Sequence, residues 1–251
     1  MNVLIAYAVD PEFTPWRKLL RLEKIRGRLP VQRARIGSAT ADFLVTGMGP
    51  EYATRAMQSV RRISYDACIC AGFAGALRPE YHVGDIFVPA RIEEAEKRSV
   101  VICDPILFES AKPPKPAQTL LSSATIIASS AEKETLSAVA GAVDMESFTV
   151  ISAAQKLGIP ALAVRVISDT RDQDMPVDFS KSLDERGQVS IGSVLKLLAG
   201  QPGKLAALMR LGRQSKLAAE ALAHFLLEYI RTLPDVQRVD SMALSNGTRG
   251  R

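Results

Sequence analysis

Cysteine, histidine and aromatic residues are all scarce in this 251-residue chain. The three cysteines are an odd number, and the close pair, Cys68 and Cys70, is spaced C-x-C in an apolar segment, far from Cys103. This pattern excludes a disulfide framework and makes a zinc site a poor interpretation. The two histidines, His82 and His224, lie far apart in the sequence, so we expect them at the surface or in packing. We therefore predict no metal and no organic cofactor.

Long hydrophobic runs are also missing. No stretch approaches the roughly 18 uninterrupted apolar residues of a membrane-spanning helix, because charged residues interrupt each long apolar region. The opening residues, MNVLIAYAVDPEF, carry no basic segment, and their apolar run is too short for a signal peptide. We therefore expect a cytoplasmic protein that does not cross a membrane. With 47% hydrophobic and 24% charged residues, the chain has ordinary globular composition and is long enough to bury a core.

The net charge of +5 comes from local excesses of cations. Residues 17–35 hold eight Lys and Arg residues without interleaved aromatics, which predicts a solvated basic face and no nucleic-acid partner. A second basic stretch, Lys196–Lys216, alternates cations with Leu, Ala and Met. This pattern is typical of an amphipathic helix, which either packs on its own domain or lies on a membrane surface.

Apolar and amphipathic segments alternate along the chain. Short runs rich in aliphatic residues predict strands at residues 3–8, 42–45, 67–71, 85–88, 125–128 and 161–167. Helical periodicity predicts helices at residues 51–63, 147–157 and 204–231. The run 161–167 is apolar throughout and needs cover on both faces, which a parallel sheet between helices provides. The sequence therefore predicts an α/β fold.

The loops and termini complete the expected organisation. The Pro-rich segment Lys112–Gln118 must be a loop, and it is either a lid over a pocket or an ordinary surface excursion. We predict one domain over residues 1–234, with a helical extension at about 189–234. Residues 235–251 end in SNGTRGR and predict a frayed, flexible tail.

Carboxylates follow three of the predicted strands, at the edge where open parallel sheets bind ligands. Glu12 is either an acid or base at that edge or an acid favoured by a helix N-terminus. Asp144 and Glu146 flank Met145, and either one faces a ligand such as a sugar diol or both mark a helix start. Asp169, after Ser168, ends the most apolar strand, where a desolvated carboxyl would act as a general acid near neutral pH unless it only caps a helix.

Two glycine clusters also follow predicted strands. Gly47 and Gly49 belong to one, and Gly72 and Phe73 open the other. Glycine lets backbone N–H groups approach a ligand closely, so we expect these four residues to contact the substrate. Neither cluster fits the dinucleotide fingerprint or the phosphate-binding loop of nucleotide triphosphatases, which leaves a nucleoside or another small polar ligand.

Taken in order, VTGMGPEYA, CAGFAGALRPEYHVGDIFVP, VDMES and VRVISD resemble the purine nucleoside phosphorylase and nucleosidase superfamily, including methylthioadenosine/S-adenosylhomocysteine nucleosidases. The resemblance covers most of residues 1–180. It implies a three-layer α/β fold with a mixed, partly barrel-like central sheet flanked by helices. It also implies a homo-oligomer in which a neighbouring subunit helps to close the site.

The same resemblance implies a role for each site residue. Asp169 would protonate N7 of a purine, and Ser168 would hold that carboxylate. Glu146 would bind the ribose hydroxyls, Met145 would pack on the sugar, and Glu12 would activate the attacking water. These residue types suit N-glycosidic cleavage, because its oxocarbenium-like transition state needs a protonated leaving group on one side and a nucleophile on the other.

Two departures from the superfamily pattern bear on the reaction and the substrate. Hexameric phosphorylases carry a phosphate-binding Arg where this chain has Cys70 and a Ser where it has Phe73, which favours hydrolysis over phosphorolysis. The segment before VDMES has Ala131 and Glu132 in the neighbourhood where typical methylthioadenosine nucleosidases place an aromatic residue against adenine. The substrate therefore need not be the one that typical methylthioadenosine nucleosidases cleave.

GMGPEYA and the run SLDERGQVSIGSVLKLLAGQPGKLAALMRLGRQSKLAAEAL resemble more closely the hopanoid-associated nucleosidase/phosphorylase group. That resemblance implies release of adenine from adenosylhopane, a lipid-linked adenine nucleoside, during hopanoid biosynthesis, with peripheral membrane contact through residues 196–231. The alternatives are a phosphate-dependent purine nucleoside phosphorylase, a methylthioadenosine/adenosylhomocysteine or futalosine-type nucleosidase, and a non-catalytic nucleoside-binding scaffold. Intact Glu12, Glu146 and Asp169 argue against the scaffold.

Overall fold

A computed structural model describes residues 1–25, 31–115, 118–177, 179–189 and 202–247. Its strands are β1 (Asn2–Tyr7), β2 (Glu23–Lys24), β3 (Val31–Ile36), β4 (Ala39–Val45), β5 (Ala67–Ala76), β6 (Ile86–Phe87), β7 (Arg91–Glu94), β8 (Val100–Ile102), β9 (Thr119–Ser122), β10 (Ala142–Asp144) and β11 (Ala161–Asp169). Its α-helices are α1 (Asp10–Phe13), α2 (Trp16–Leu19), α3 (Pro50–Val60), α4 (Pro105–Ser110), α5 (Ser130–Leu136), α6 (Ser147–Lys156) and α7 (Pro202–Gly247), with a 3-10 helix at Phe179–Ser182.

The strands of the described chain form one mixed sheet that branches at β5. Strands β4, β1, β5 and β11 are mutually parallel, and β3 joins β4 antiparallel at one end. The last residues of β5 pair instead with β10, which begins a second arm through β9, β7 and β8. Because the two halves of β5 have different neighbours, the sheet turns at this strand. The expected mixed α/β sheet flanked by helices is confirmed.

One predicted strand is wrong. Residues 125–128 form no strand, and the chain pairs earlier, in β9. Ile126 and Ile127 are apolar because they line a cavity, and a run of apolar residues does not by itself distinguish the two situations. The other five predicted strands overlap observed ones, and the strand predicted at 42–45 is the second half of β4.

The long helix α7 packs across the sheet through a stripe of aliphatic residues. Ala218, Leu222, Leu226 and Ile230 recur every four residues and are fully buried, which is the spacing of one helix face. The helix extends past Asp235, where the sequence predicts the start of a frayed tail, while residues 248–251 lie outside the described ranges. So does the beginning of the predicted basic helix, residues 196–201. Within the described ranges, no helix combines the length and the apolar content needed to cross a bilayer.

Candidate active site

A cavity of about 800 Å³ opens where β1, β5, β10 and β11 end, and α7 forms one of its walls. Glu12, Glu146 and Asp169, the three carboxylates singled out in the sequence as catalytic or ribose-binding, all line it. The fold brings them together because the parallel strands β1 and β11 finish at the same edge of the sheet. The volume of this cavity lies in the upper part of the range that is usual for small-molecule sites.

Glu12 lies on α1 directly after β1, and its carboxylate turns back toward the strand end. Oε2 accepts hydrogen bonds from the backbone N–H groups of Ala8 (2.7 Å) and Val9 (3.0 Å), and Oε1 accepts one from Phe73 (2.7 Å). Burial raises the pKa of Glu12 above its usual value, while Arg165 and these backbone donors limit the rise. Glu12 is therefore a fixed, buried carboxylate with the environment that a general base requires.

Asp144 and Glu146 have different hydrogen-bond partners, although the sequence does not indicate which of the two faces a ligand. Asp144 accepts a hydrogen bond from the Ser147 N–H (3.1 Å) at the start of α6 and forms an ion pair with Arg165 (2.5 Å). Glu146 accepts a hydrogen bond from the Gly49 N–H (2.7 Å) and lies 4.0 Å from the Arg165 guanidinium. Burial raises the pKa of Glu146 to about 8, opposed by Arg165 and reinforced by Asp144 and Glu12.

Arg165 is a functional candidate that the sequence interpretation missed, although it is the one charged residue before the end of the apolar strand β11. It is 1% exposed, and its guanidinium donates to Ser147 Oγ (2.9 and 3.0 Å) and Cys70 Sγ (3.0 Å) besides Asp144. Burial by itself would lower the pKa of Arg165, but the surrounding acids raise it, so the side chain stays charged.

Arg165 and Glu12 meet at Gly72. A Cβ at Gly72 would lie 2.4 Å from Arg165 Nη1 and 2.6 Å from Glu12 Oε1, distances that no real side chain tolerates. Glycine at this position therefore allows a cation and a carboxylate to converge on one point of the backbone.

Three glycines that the sequence predicts to contact the substrate are not among the residues that line the cavity. They are Gly47, Gly49 and Gly72, whereas Phe73 and Met145 do line it, and contact with the substrate stays a prediction for all of them. Gly49 acts through its N–H on Glu146, and Gly47 has a φ of 84° where a Cβ would meet Tyr52 at 2.7 Å. Their contribution is backbone geometry around the site.

Asp169 ends β11, and both of its oxygens are engaged. Oδ1 accepts a hydrogen bond from Ser168 Oγ (2.8 Å), as the resemblance implied, and Oδ2 lies 2.5 Å from Lys133 Nζ. The sequence predicts a desolvated acid at this position, but the structure gives it a buried cationic partner. Nothing in the sequence marks Lys133, because SAEKETL resembles any solvated amphipathic helix.

Much of the remaining cavity wall is apolar, and it includes Ile126, Ile127, Met175, Phe179, Leu208 and Leu211. Polar and charged side chains of α7 also line the cavity, among them Ser215, Lys216 and Glu220. His224 lies at the cavity and His82 at the surface, both exposed. None of the described residues of the Pro-rich loop, 112–115 and 118, lines the cavity, which does not support its role as a lid.

Comparisons with known proteins agree with this fold. Residues 116–199 match the family model of the phosphorylase superfamily, and no curated protein matches the chain by sequence. A Helicobacter pylori methylthioadenosine/adenosylhomocysteine nucleosidase variant, solved with 5'-methylthioadenosine in its active site, superposes with a TM-score of 0.69 at 19% identity, covering 91% of this chain and 97% of its own. The corresponding Neisseria meningitidis nucleosidase, in complex with methylthio-immucillin-A, gives 0.67 at 18% identity, with 92% and 99% covered.

Futalosine hydrolase of Helicobacter pylori is similar to the same extent, with a TM-score of 0.68 at 18% identity and coverage of 92% of this chain and 97% of its own. The chain thus has the same fold as these nucleosidases, and residues 116–199, about a third of the chain, match the phosphorylase superfamily model. Because relatives with different named substrates superpose equally well, the substrate has to be argued from the site.

Proposed function

We propose that this protein is a nucleosidase that hydrolyses the N-glycosidic bond of an adenine nucleoside. The observation that carries the proposal is the pair of buried carboxylates, Glu12 and Asp169, in different environments on one cavity. Glu12 lies against Gly72 and Asp169 against Gly75, and both carboxylates line the same cavity. The proposal places the sugar and its leaving base between them.

Each residue then has one step in the reaction. Asp169 faces the leaving base and transmits a proton to N7, with Ser168 fixing the orientation of its carboxylate. Glu146 binds the ribose hydroxyls, and Met145 packs on the sugar. Glu12 accepts a proton from the attacking water, and the buried Arg165 limits the rise in the pKa of Glu12.

The electrostatics favour water over phosphate as the nucleophile. Arg165 is already paired with Asp144 and hydrogen-bonded to Ser147 and Cys70, so its charge is neutralised within the protein. Glu12 and Glu146 approach the same guanidinium. The guanidinium that a phosphate dianion would need is therefore already occupied by acidic side chains of the protein.

The apolar part of the cavity supports adenosylhopane as the substrate. A nucleoside with a small 5' group would leave the wall formed by Leu208, Leu211 and Phe179 without a partner. A polycyclic hydrocarbon attached at the 5' position would cover this wall, and burial of apolar area is the main favourable term in such binding.

The homo-oligomer implied by the resemblance stays a prediction.

Adenine release from an adenosyl-hopanoid, methylthioadenosine and S-adenosylhomocysteine, each with and without phosphate, tests the proposal. We expect phosphate-independent release that is fastest with the hopanoid. Strict dependence on phosphate would identify a phosphorylase, preference for the small thioether nucleosides would identify a methylthioadenosine-type enzyme, and no release from any nucleoside would leave a binding protein.

Two isosteric variants test the assignment of the carboxylates. Asp169→Asn removes the route of the proton but keeps the shape, so cleavage should fall by about 100-fold or more while nucleoside binding persists. Glu12→Gln should likewise stop hydrolysis with little change in binding. Turnover at the wild-type rate by either variant would contradict the corresponding role.

A further inference from the structure

Lys133 is almost completely buried, which is rare for a lysine and requires partners for its charge. It is 1% exposed and lies on α5, outside the motifs that suggested the function. A buried ammonium ion without partners is strongly unfavourable, so a lysine at this position needs hydrogen-bond acceptors or an opposite charge close to its Nζ.

All three N–H bonds of the Lys133 ammonium have acceptors. Nζ donates to Asp169 Oδ2 at 2.5 Å, to the Thr170 carbonyl at 3.1 Å and to the Gln173 carbonyl at 2.9 Å. The two carbonyls belong to the loop that follows Asp169 in the chain. Of the three acceptors, only the Asp169 carboxylate can take a proton from the ammonium, because the other two are backbone carbonyls.

Other hydrogen bonds hold α5 against this loop. The Ser130 N–H donates to Asp174 Oδ1 (2.7 Å), and the Met175 N–H donates to the Ala128 carbonyl (2.8 Å). Gln173 also connects the loop to α7 through Gln214 (3.0 Å). These contacts fix the distance between Lys133 and Asp169, which makes the pair a preorganised unit.

We infer that Lys133 is the source of the proton that Asp169 passes to the leaving base. The inference rests on the proposed function and deepens it. In the free protein the pair is an ammonium and a carboxylate. As the N-glycosidic bond breaks, the bonding electrons go to the base, Asp169 takes a proton from Lys133, and N7 of the base takes a proton from Asp169. Asp169 is therefore a carboxylate before and after the step, and the base leaves protonated. The amine left on Lys133 is recharged from solvent after the products leave.

The geometry accommodates Lys133 in both protonation states. A neutral lysine amine has two N–H groups and one lone pair, and two backbone carbonyls remain as acceptors at Thr170 and Gln173. The lone pair then faces Asp169. Neither state leaves a buried N–H donor unpaired, and the hydrogen bond from Lys133 to Asp169 is the only one of the three that proton transfer removes.

Two substitutions of Lys133 separate proton supply from simple charge pairing. Lys133→Arg keeps the positive charge but cannot release a proton. We expect its kcat on the best adenine nucleoside to fall about 100-fold at every pH, with KM within about three-fold of the wild-type value. Lys133→Met removes the cation, so Asp169 must collect its proton from solvent, and kcat should be low at alkaline pH and recover toward acid.

A second substrate provides a readout that a structural role would not change. A 4-nitrophenyl β-riboside releases a phenolate that needs no protonation, so both variants should cleave it at rates close to wild type. Lys115→Met is the matched control, because Lys115 forms an ion pair with Asp85 at the same 2.5 Å and donates to a backbone carbonyl, but lies outside the cavity. Melting temperatures of all three variants check that they fold.

Failure of the inference is distinguishable from failure of the proposed function. If the wild-type protein cleaves no nucleoside, the function is wrong and the inference falls with it. If the wild type cleaves adenine nucleosides but Lys133→Arg does so at the wild-type rate, or Lys133→Met has the wild-type pH profile, only the proton source is wrong. Equal losses on the nucleoside and the nitrophenyl riboside would also overturn it.

Discussion

At position 72, the absence of a side chain leaves room for both Arg165 and Glu12 to approach the same point of the backbone. The backbone of β5 passes so close to both side chains that a methyl group would overlap each of them. This residue has no side-chain chemistry of its own, yet it determines whether the carboxylate and the guanidinium can both pack against the same point of β5. The sequence shows that residue 72 is a glycine, but it does not show which side chains pack against it.

We therefore predict that Gly72→Ala reduces kcat/KM by about 100-fold, because displacing a catalytic group by about 1 Å has an effect of that size. Steady-state kinetics measure the loss. Gly203→Ala is the control, since a Cβ there meets no atom within 4 Å. Equal activity of the two variants would show that Glu12 and Arg165 need not occupy these positions.

Glu146 makes the stability of the protein depend on pH. Its pKa is about 8 in the folded protein against a usual value of 4.5. Between these two pH values the folded chain keeps a proton that the unfolded chain has lost. The contribution of Glu146 to the free energy of unfolding is therefore complete below about pH 4.5 and is lost as the pH rises through about 8.

We expect Glu146→Gln to remove most of this slope, because the amide keeps an oxygen for the Gly49 N–H but carries no charge. Urea unfolding at several pH values between about 5 and 9 measures the effect. The exposed Glu51→Gln should retain the wild-type profile. Parallel profiles for wild type and Glu146→Gln would mean that Glu146 is not the group responsible.

At the scale of elements, α7 packs on the sheet in one part and lines the cavity in another. Its buried stripe lies further along the helix, whereas Leu208, Leu211 and Gly212 lie nearer its start and line the cavity. Gly212 is unusual in a helix, since glycine is less favourable there than alanine by about 1 kcal/mol. A Cβ at Gly212 would meet nothing within 4 Å, so packing does not require the glycine.

This opening at Gly212 leads to a prediction about substrate size. Gly212→Phe should fill the apolar part of the cavity and raise KM for an adenosyl-hopanoid by about 10-fold or more, while KM for methylthioadenosine stays nearly constant. Gly212→Ala should raise the melting temperature slightly and leave both KM values unchanged. Equal effects of Gly212→Phe on the two substrates would contradict the placement of the hydrocarbon.

At the scale of the whole molecule, exposed apolar and basic side chains occur together on α7 near the cavity. Leu205, Met209 and Leu217 are 48%, 58% and 62% exposed. Exposed cations of the same helix accompany them: Lys204, Arg210, Arg213 and Lys216. Such a surface has the chemistry of a peripheral contact with an anionic membrane, in which apolar side chains insert and cations approach headgroups.

We predict binding to vesicles that contain anionic phospholipid, weaker at high salt because screening shortens the range of the charges. Changing Leu205, Met209 and Leu217 together to Asn should abolish the binding in a flotation assay. Ile102→Asn with Ile106→Asn alters exposed apolar residues elsewhere and serves as the control. Equal loss in both variants, or binding to neutral vesicles alone, would argue against this surface.

The sequence by itself determined the alternation of strands and helices and the carboxylates at the strand ends, because hydrophobic periodicity and the position of a charge after an apolar run are local properties. It could not reveal Lys133 as the partner of Asp169, since residues 36 positions apart meet only when α5 folds against the loop after β11. Nor could it show that residues 125–127 line a cavity, or that residues 125–128 form no strand. Burial, ion pairing and close backbone approach depend on which elements pack together, and the tertiary structure alone decided these.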